Sequence, residues 1–238
     1  MDDRDARNEA LRVLASRLGI DVNDFALFDR ALTHASLVAE SAEATSDYEA
    51  LEFLGDAVLG LAVAHRLFEL TPERTPGDYS RLRAGLVSRV CVARVAQALE
   101  LAPAIRLGKG EESSGGRERT ALLADCLEAL IGAIYLDSGW EAARTFVVRM
   151  FEDEIAQSLR QDRVWDYKSR LQNYCQAQHM ALPQFEVVRS EGPDHCKEFE
   201  VEVVVRGRPA GRGRGATKKE AEQQAARAAL EQEGCRFD

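Results

Sequence analysis

Between Asp47 and His65 the chain reads DYEALEFLGDAVLGLAVAH. Apolar residues recur at Leu51, Leu54, Val58 and Leu61, the spacing of three and four that lines one face of a helix. Asp47 stands where a cap accepts from the first free amides, and acids in the first turn suit the positive end of the dipole. The pattern predicts a helix running to about Leu70. Similar periodicity predicts helices over residues 4–18 (Leu11, Val13, Leu14, Leu18), 25–31, 80–101, 120–140 and 141–160. Asp78 or Ser80 is the expected cap of the 80–101 helix, which ends before Pro103. The pieces between them read as breaks. Residues 37–46 are small and polar, and TPERTPGDYS carries two prolines and a glycine. LGKGEESSGGRER, residues 107–119, reads as a mobile surface loop and lacks the order of a phosphate-binding loop.

Past DRVWDYK, residues 162–168, the period changes. Tyr167 to Met180 still reads as helix. FEVVRSEG and KEFEVEVVVRG alternate at period two and are rich in valine, so they read as strands, with GPDH as a turn between them. RGRPAGRGRGA reads as a turn into a third short strand. TKKEAEQQAARAALEQ reads as a helix capped by Thr217, with Glu220 at the capping-box position. The fold class is therefore an all-α domain followed by a small α+β module of order α-β-β-β-α. The expected organisation is a helical domain over 1–160, a linker over 161–166 and the module over 167–238.

Within the first stretch, Glu49, Glu52 and Asp56 fall at roughly 0°, 300° and 340° around the helix, so three carboxylates share one narrow face. Like charges so placed weaken a helix. Two readings fit: a solvated acidic stripe, or a cation site. Asp125 and Glu128 repeat the i,i+3 pattern among Leu, Ala and Ile of a second helix. Two such helices can cross and pool four carboxylates, the hard oxygen ligands that magnesium and manganese prefer. This favours the cation site. His34, beside Thr33 and Ser36, reads as a hydrogen-bonded structural residue or as a catalytic base. Arg81, Arg83, Arg89 and Arg94 read equally as a solvated face or as phosphate contacts.

The net charge of −9 at first argues against a nucleic-acid partner, but it is uneven. Residues 1–160 hold 18 Lys/Arg against 27 Asp/Glu, whereas residues 161–238 hold 13 of each. Arg206, Arg208, Arg212, Arg214, Lys218 and Lys219 follow one another with no acid between them, and local patches rather than totals attract phosphates. Lys218 and Lys219 also stand at a helix N-terminus, where free amides favour phosphate. No apolar run reaches the ~20 residues that span a bilayer, and the N-terminus has no apolar secretory core. A cytoplasmic protein without membrane association is expected. The five cysteines include no CxxC, so neither a disulfide framework nor a zinc site is indicated.

YEALEFLGDAVLG closely resembles the signature of the ribonuclease III family, and ADCLEALIGAIYLD resembles that family's second acidic motif. ALTHAS and GDYSRLRAGLVS are similar to further family segments. KSRLQNYCQ, GPDH and TKKEAEQQAA resemble a double-stranded-RNA-binding domain. The likeness covers nearly the whole chain in order. It implies a homodimeric, all-helical nuclease domain whose acids line a valley for duplex RNA. Matched by motif, Glu52, Asp56, Asp125 and Glu128 are the metal ligands, with Asp56, Glu128 and Glu49 at the catalytic centre. Phe53 docks into the partner subunit. In the tail Gln172, Gln176, Pro193, His195, Lys218 and Lys219 contact RNA, across two minor grooves and the phosphates between them. The family pattern often has an acid where this chain has Pro76, so that acid's auxiliary role is in doubt.

The implied activity is magnesium-dependent hydrolysis of double-stranded RNA, with manganese as a substitute. It leaves 5′-phosphate and 3′-hydroxyl ends with two-nucleotide 3′ overhangs, and ribosomal RNA precursors are the family's expected targets. No nucleotide cofactor is implied. Two rivals are a duplex-binding regulator that uses the nuclease fold only as a dimer scaffold, and an isoprenoid-type synthase. The intact acids argue against the first. The absence of a DDxxD pair and the strand-rich tail argue against the second.

Overall fold

The computed structural model describes residues 3–41, 46–165, 167–191 and 197–233. The chain divides into two compact units, residues 1–158 and 159–238. In the first unit α1 (Asp3–Leu18), α2 (Phe25–Ala31) and α3 (Ala35–Glu40) lead to α4 (Glu49–Leu70). Then come α5 (Pro76–Leu86), α6 (Arg89–Ala98), a single turn α7 (Lys109–Ser113), α8 (Thr120–Met150) and α9 (Glu152–Trp165), whose residues run across the boundary at 158/159.

The centre of this unit is the packing of α4 on α8, the most extensive between any two of its elements. Two glycines set how closely they approach. A Cβ on Gly55 would lie 1.7 Å from the carbonyl oxygen of Glu128, and one on Gly132 would lie 2.3 Å from that of Leu51. The two backbones therefore touch, and no side chain larger than hydrogen fits between them. The buried face of α4 is Leu51, Gly55, Val58, Leu59, Ala62, Val63 and Leu67. It is rotated from the expected stripe: Leu54 is half-buried and Leu61 is exposed. The small residues Gly55 and Ala62 belong to the contact face, which a pattern built on large apolar residues does not register. Val13 of α1, also expected inside, is exposed.

Several expected boundaries move. Tyr48, not Asp47, holds the cap position of α4, although the Asp47 carboxylate accepts from Glu49 N at 3.0 Å. The expected 80–101 helix is two helices, because Ser88 leaves helical geometry and its hydroxyl caps Cys91 N. Thr75 caps α5, with Pro76 in the first turn where its missing N–H is not needed. Residues 37–40 of the expected 37–46 loop belong to helix α3 (Ala35–Glu40). The 107–119 segment is also ordered. Glu40 accepts from Lys109 N and Gly110 N, Ser36 Oγ accepts from Gly108 N, and Arg117 donates to the carbonyls of Ala102 and Ile105. The 120–140 and 141–160 helices meet at Gly139, whose φ of 81° breaks the helix. Residues 161–165 of the expected linker continue α9.

The second unit is α10 (Tyr167–Ala177), β1 (Gln184–Glu191), β2 (Glu198–Val205), β3 (Arg208–Gly215) and α11 (Lys218–Gln232). The strands form one antiparallel sheet in the order β1-β2-β3. Val201, Val203 and Val205 turn one face of β2 towards both helices, in a core with Leu171, Cys175, Ala221, Ala225, Ala226, Ala229 and Leu230. RGRPAGRGRGA holds the expected turn and third strand, and most of it is strand β3. Only Arg206 and Gly207 turn, at φ 54° and 69°, the pair of positive angles that a two-residue hairpin needs. The glycines of β3 are there for packing: a Cβ on Gly213 would lie 2.2 Å from Ala225 N, and one on Gly211 would lie 2.5 Å from Ala225 O.

Gly55→Ala or Gly132→Ala should each cost about 3 kcal/mol or more by overpacking a backbone contact. Gly85→Ala, where the added methyl meets nothing within 4 Å, should be neutral or stabilise by up to ~1 kcal/mol. Urea unfolding of the three variants measures the contrast.

Candidate active site

Glu52 lies one turn before Gly55 on α4, while Glu128 supplies the carbonyl that Gly55 touches. Asp125 lies one turn before Glu128 on α8. The glycine contact therefore carries the three side chains to one place. Glu52, Asp125 and Glu128 each offer a carboxylate oxygen, all within 4.8 Å of one another, and all three residues are half-buried. Among the described residues, none donates a hydrogen bond to any of the three.

The electrostatics follow. Burial, and then the charges of Asp56, Glu52 and Asp125, push the Glu128 carboxyl up to about 7. Burial, and then Asp125 and Glu49, also raise Glu52. Burial raises Asp125, with Arg89 and His34 acting the other way. Arg89, exposed in the first turn of α6, offsets all three acids in part. Three hard oxygen donors that resist ionisation together, with no bound cationic side chain, fit a small divalent cation.

The remaining expected residues are placed as follows. Asp56 is exposed and lies outside the three-oxygen cluster, yet its charge is the strongest acting on Glu128. Glu49 is exposed in the first turn of α4 and bears on Glu52. Phe53, on the same helix, is 83% exposed, with Leu61 and Phe68 also exposed further along. His34 has a structural place: it caps α3, its Nδ1 accepting from Ser36 N at 3.1 Å. The residue that sequence reasoning missed is Tyr48. Its phenol is raised well above its ordinary range by burial, Cys126, Asp125, Glu52 and Glu49. Nothing in the helical pattern marked it: the expected helix took Asp47 as its cap and Tyr48 as an ordinary first-turn residue, whereas Tyr48 itself holds the cap position.

In the second unit Gln172, half-buried, and Gln176, exposed, are one turn apart on α10. Lys218 and Lys219 are exposed at the start of α11, with no ion pair among the described residues. Lys218 Nζ lies 5.9 Å from the centre of the Phe199 ring. Pro193 and His195 lie outside the described residues. The arginine run is less free than its sequence suggests. Arg212 pairs with Glu202 at 2.7 Å and Arg214 with Glu200 at 3.4 Å, both across from β3 to β2. The acids missing from the run in sequence are supplied by the neighbouring strand.

Residues 24–155 match the family model described as Ribonuclease-III-like, and residues 167–233 match the double-stranded RNA binding motif. A protein named Ribonuclease 3 from Pelotomaculum thermopropionicum is 45% identical, over 93% of this chain and 92% of its own length. The chain belongs to the ribonuclease III family. Its fold is that family's helical nuclease domain followed by a double-stranded-RNA-binding domain. A Ribonuclease 3 from Heliobacterium modesticaldum is 46% identical over 91% of this chain and 92% of its own. Among solved structures, the nuclease domain of ribonuclease III from Campylobacter jejuni is 41% identical, with a TM-score of 0.55. It covers 59% of this chain and is itself covered to 94%.

The raised Glu128 carboxyl carries a pH signature. A carboxyl whose folded value lies above its ordinary 4.5 contributes stability that is fully present below that value and is lost as pH rises through about 7. Without divalent cations, the wild-type melting temperature should therefore fall from pH 5 to pH 8 more than that of Glu128→Gln. Added magnesium should raise the wild-type value more at pH 8 than at pH 5.5, since ligation needs the ionised form. Calorimetric melts at the two pH values check both.

Proposed function

We infer that the chain hydrolyses phosphodiester bonds in double-stranded RNA with magnesium held by Glu52, Asp125 and Glu128, with Asp56 beside them. The chain is a double-strand-specific endoribonuclease by family. The observation that carries the metal reading is the three-carboxylate cluster, which is strained as long as only protons neutralise it. Its oxygens suit magnesium, and manganese as a substitute. When bound, such a cation supplies Lewis acidity towards water and the phosphate oxygens. The acids hold and orient it, and Glu49 adds negative charge at the rim. Arg89, exposed and unpaired among the described residues, has the charge to meet a substrate phosphate.

RNA is held by the second unit. Lys218 and Lys219 offer positive charge at the N-terminus of α11, where free amides add to it. Gln172 and Gln176 on α10, together with Pro193 and His195, complete the RNA-facing set, which reads A-form shape and 2′-hydroxyls rather than base sequence. The products carry 5′-phosphate and 3′-hydroxyl ends with two-nucleotide 3′ overhangs. That stagger follows from two active sites in a homodimer joined along the exposed face of α4, with Phe53 seated in the partner. The cellular setting is the cytoplasm, and ribosomal RNA precursors are the natural substrates. No nucleotide cofactor takes part.

Incubating a duplex RNA with the protein and magnesium, and mapping both strand ends, tests the reading. Binding without cutting would favour the scaffold alternative. Glu128→Gln and Asp125→Asn should each slow cleavage by about 10³-fold, several kcal/mol of lost charge stabilisation, while leaving duplex affinity within a few-fold. Lys218→Ala with Lys219→Ala should weaken binding and flatten its salt dependence, the log–log slope falling by roughly one for each phosphate no longer neutralised. Filter binding at graded salt measures that slope. Phe53→Ala should shift the protein towards monomer in sedimentation velocity.

A further inference from the structure

Strand β3 has a neighbouring strand on one side only. The sheet runs β1-β2-β3, so the amides and carbonyls along the outer side of β3 meet no strand among the described residues. Beside that edge lies an open groove of about 380 Å³. Arg212, Gly213 and Arg214 form one wall, and Gln224, Arg227 and Glu231 of α11 form the other. Successive residues of a strand turn to opposite faces, so a groove that touches three in a row runs along the strand's side. The α11 residues recur at spacings of three and four, which places them on one stripe of that helix. Ala228, between them, keeps the groove open. Among the described residues none from β2 lines it.

The chemistry is that of a strand site with a charge preference. An unpaired edge offers donors and acceptors in alternation and is a template for another strand. Half-buried Gln224 adds donor and acceptor from the helix side. A nucleic-acid backbone suits such an edge poorly, because phosphates only accept and would set their oxygens against the outward carbonyls. Three arginines stand along the groove against Glu231, which pairs with Arg227 at 2.8 Å. Arg212 and Arg214 pair with Glu202 and Glu200, yet the arginine side chains are 64% and 60% exposed while both carboxylates are 16% exposed. What this part of the sheet turns to solvent is therefore positive. Inside the sheet, β2 already shows what a neighbour of β3 looks like. It sets Glu202 opposite Arg212 and Glu200 opposite Arg214, acids at every second position. A second copy of β3 is a poor match, since pairing two such edges in register sets arginine against arginine.

We propose that the β3 edge and the α11 stripe form a docking groove for an extended acidic segment of a partner protein. The segment adds to the sheet as a further strand with acidic residues at alternate positions. Its backbone pairs with β3. Side chains of one parity carry the carboxylates to Arg212 and Arg214, and those of the other lie over Ala228 between Gln224 and Arg227. The inference concerns the second unit alone and does not depend on the metal site.

The test follows amide hydrogen exchange of the full-length protein at low salt, without divalent cations. The probe is the end-capped peptide Thr-Glu-Val-Glu-Val-Glu-Thr, and the control replaces each Glu by Lys. At saturation the acidic peptide should slow the fast-exchanging amides of residues 208–215 by about tenfold or more, as pairing of an open edge does. The lysine peptide and a duplex RNA should leave them fast, and high salt should weaken the acidic peptide. Arg212→Gln with Arg214→Gln should weaken it by about 2- to 30-fold, the loss of two opposite-charge cross-strand pairs. Arg227→Glu, which leaves both arginine pairs of the sheet in place, should weaken it as well, so the charge preference is read even if the double variant folds poorly. Exchange at 208–215 that the acidic peptide leaves unchanged at millimolar concentration, or that both peptides slow equally, overturns the proposal. So does slowing by duplex RNA in place of the peptide, which would make the groove a nucleic-acid site.

Discussion

Everything in the first unit depends on one backbone contact. Gly55 of α4 lies against the Glu128 carbonyl of α8, and Gly132 of α8 lies against the Leu51 carbonyl of α4. With two glycines removing both Cβ atoms, the helices come closer than ordinary side-chain packing permits. The clustered carboxylates are neighbours of the contact, not remote from it: Glu52 is one turn from Gly55, and Glu128 is itself a contact residue. A larger residue at either glycine would force the helices apart, and the acids of the two helices with them. Close packing and chemistry are thus one constraint.

The contact has an electrostatic consequence. Forcing Glu52, Asp125 and Glu128 within 4.8 Å of one another in a half-buried place raises all three carboxyls. The protein tolerates this because the hydrophobic centre around it is large, with Leu51, Val58, Leu59, Leu123, Leu127, Leu130 and Ile131 all buried. Arg89 and His34 relieve part of the repulsion, and among the described residues neither pairs with the acids directly. A site that is uncomfortable without a cation gains selectively from binding one.

The second unit repeats the use of missing side chains for a different end. Gly211, Gly213 and Gly215 on β3 let the alanine-rich α11 lie directly on the strand. The residues between them, Arg212 and Arg214, point away from the helix and pair with Glu202 and Glu200. Alternation along one strand therefore separates packing from charge. It also ties two arginines of the run into ion pairs, whereas Lys218 and Lys219 at the helix start have none among the described residues.

The fold class, most helix positions, the strand pairs and the identity of the acidic residues were legible from sequence, because they depend on period, cap chemistry and charge, all of which are local. Thr217 caps α11 by accepting from Glu220 N as its spacing predicts, while the Glu220 carboxylate reaches one residue further back, to Ala216 N. Other features depended on partners far along the chain. That β3 can run straight through its glycines is decided by α11, which lies on them. That 107–113 is ordered is decided by Ser36 and Glu40. Which face of α4 is buried is decided by Gly55 meeting α8, and so is the membership of the carboxylate cluster: Asp56 shares the helical face of Glu52 in sequence, but lies outside the three oxygens that the crossing brings together. Period assigns residues to the faces of one helix, whereas a site shared by two helices is set by where they cross, and here that is decided by the two residues with no side chain.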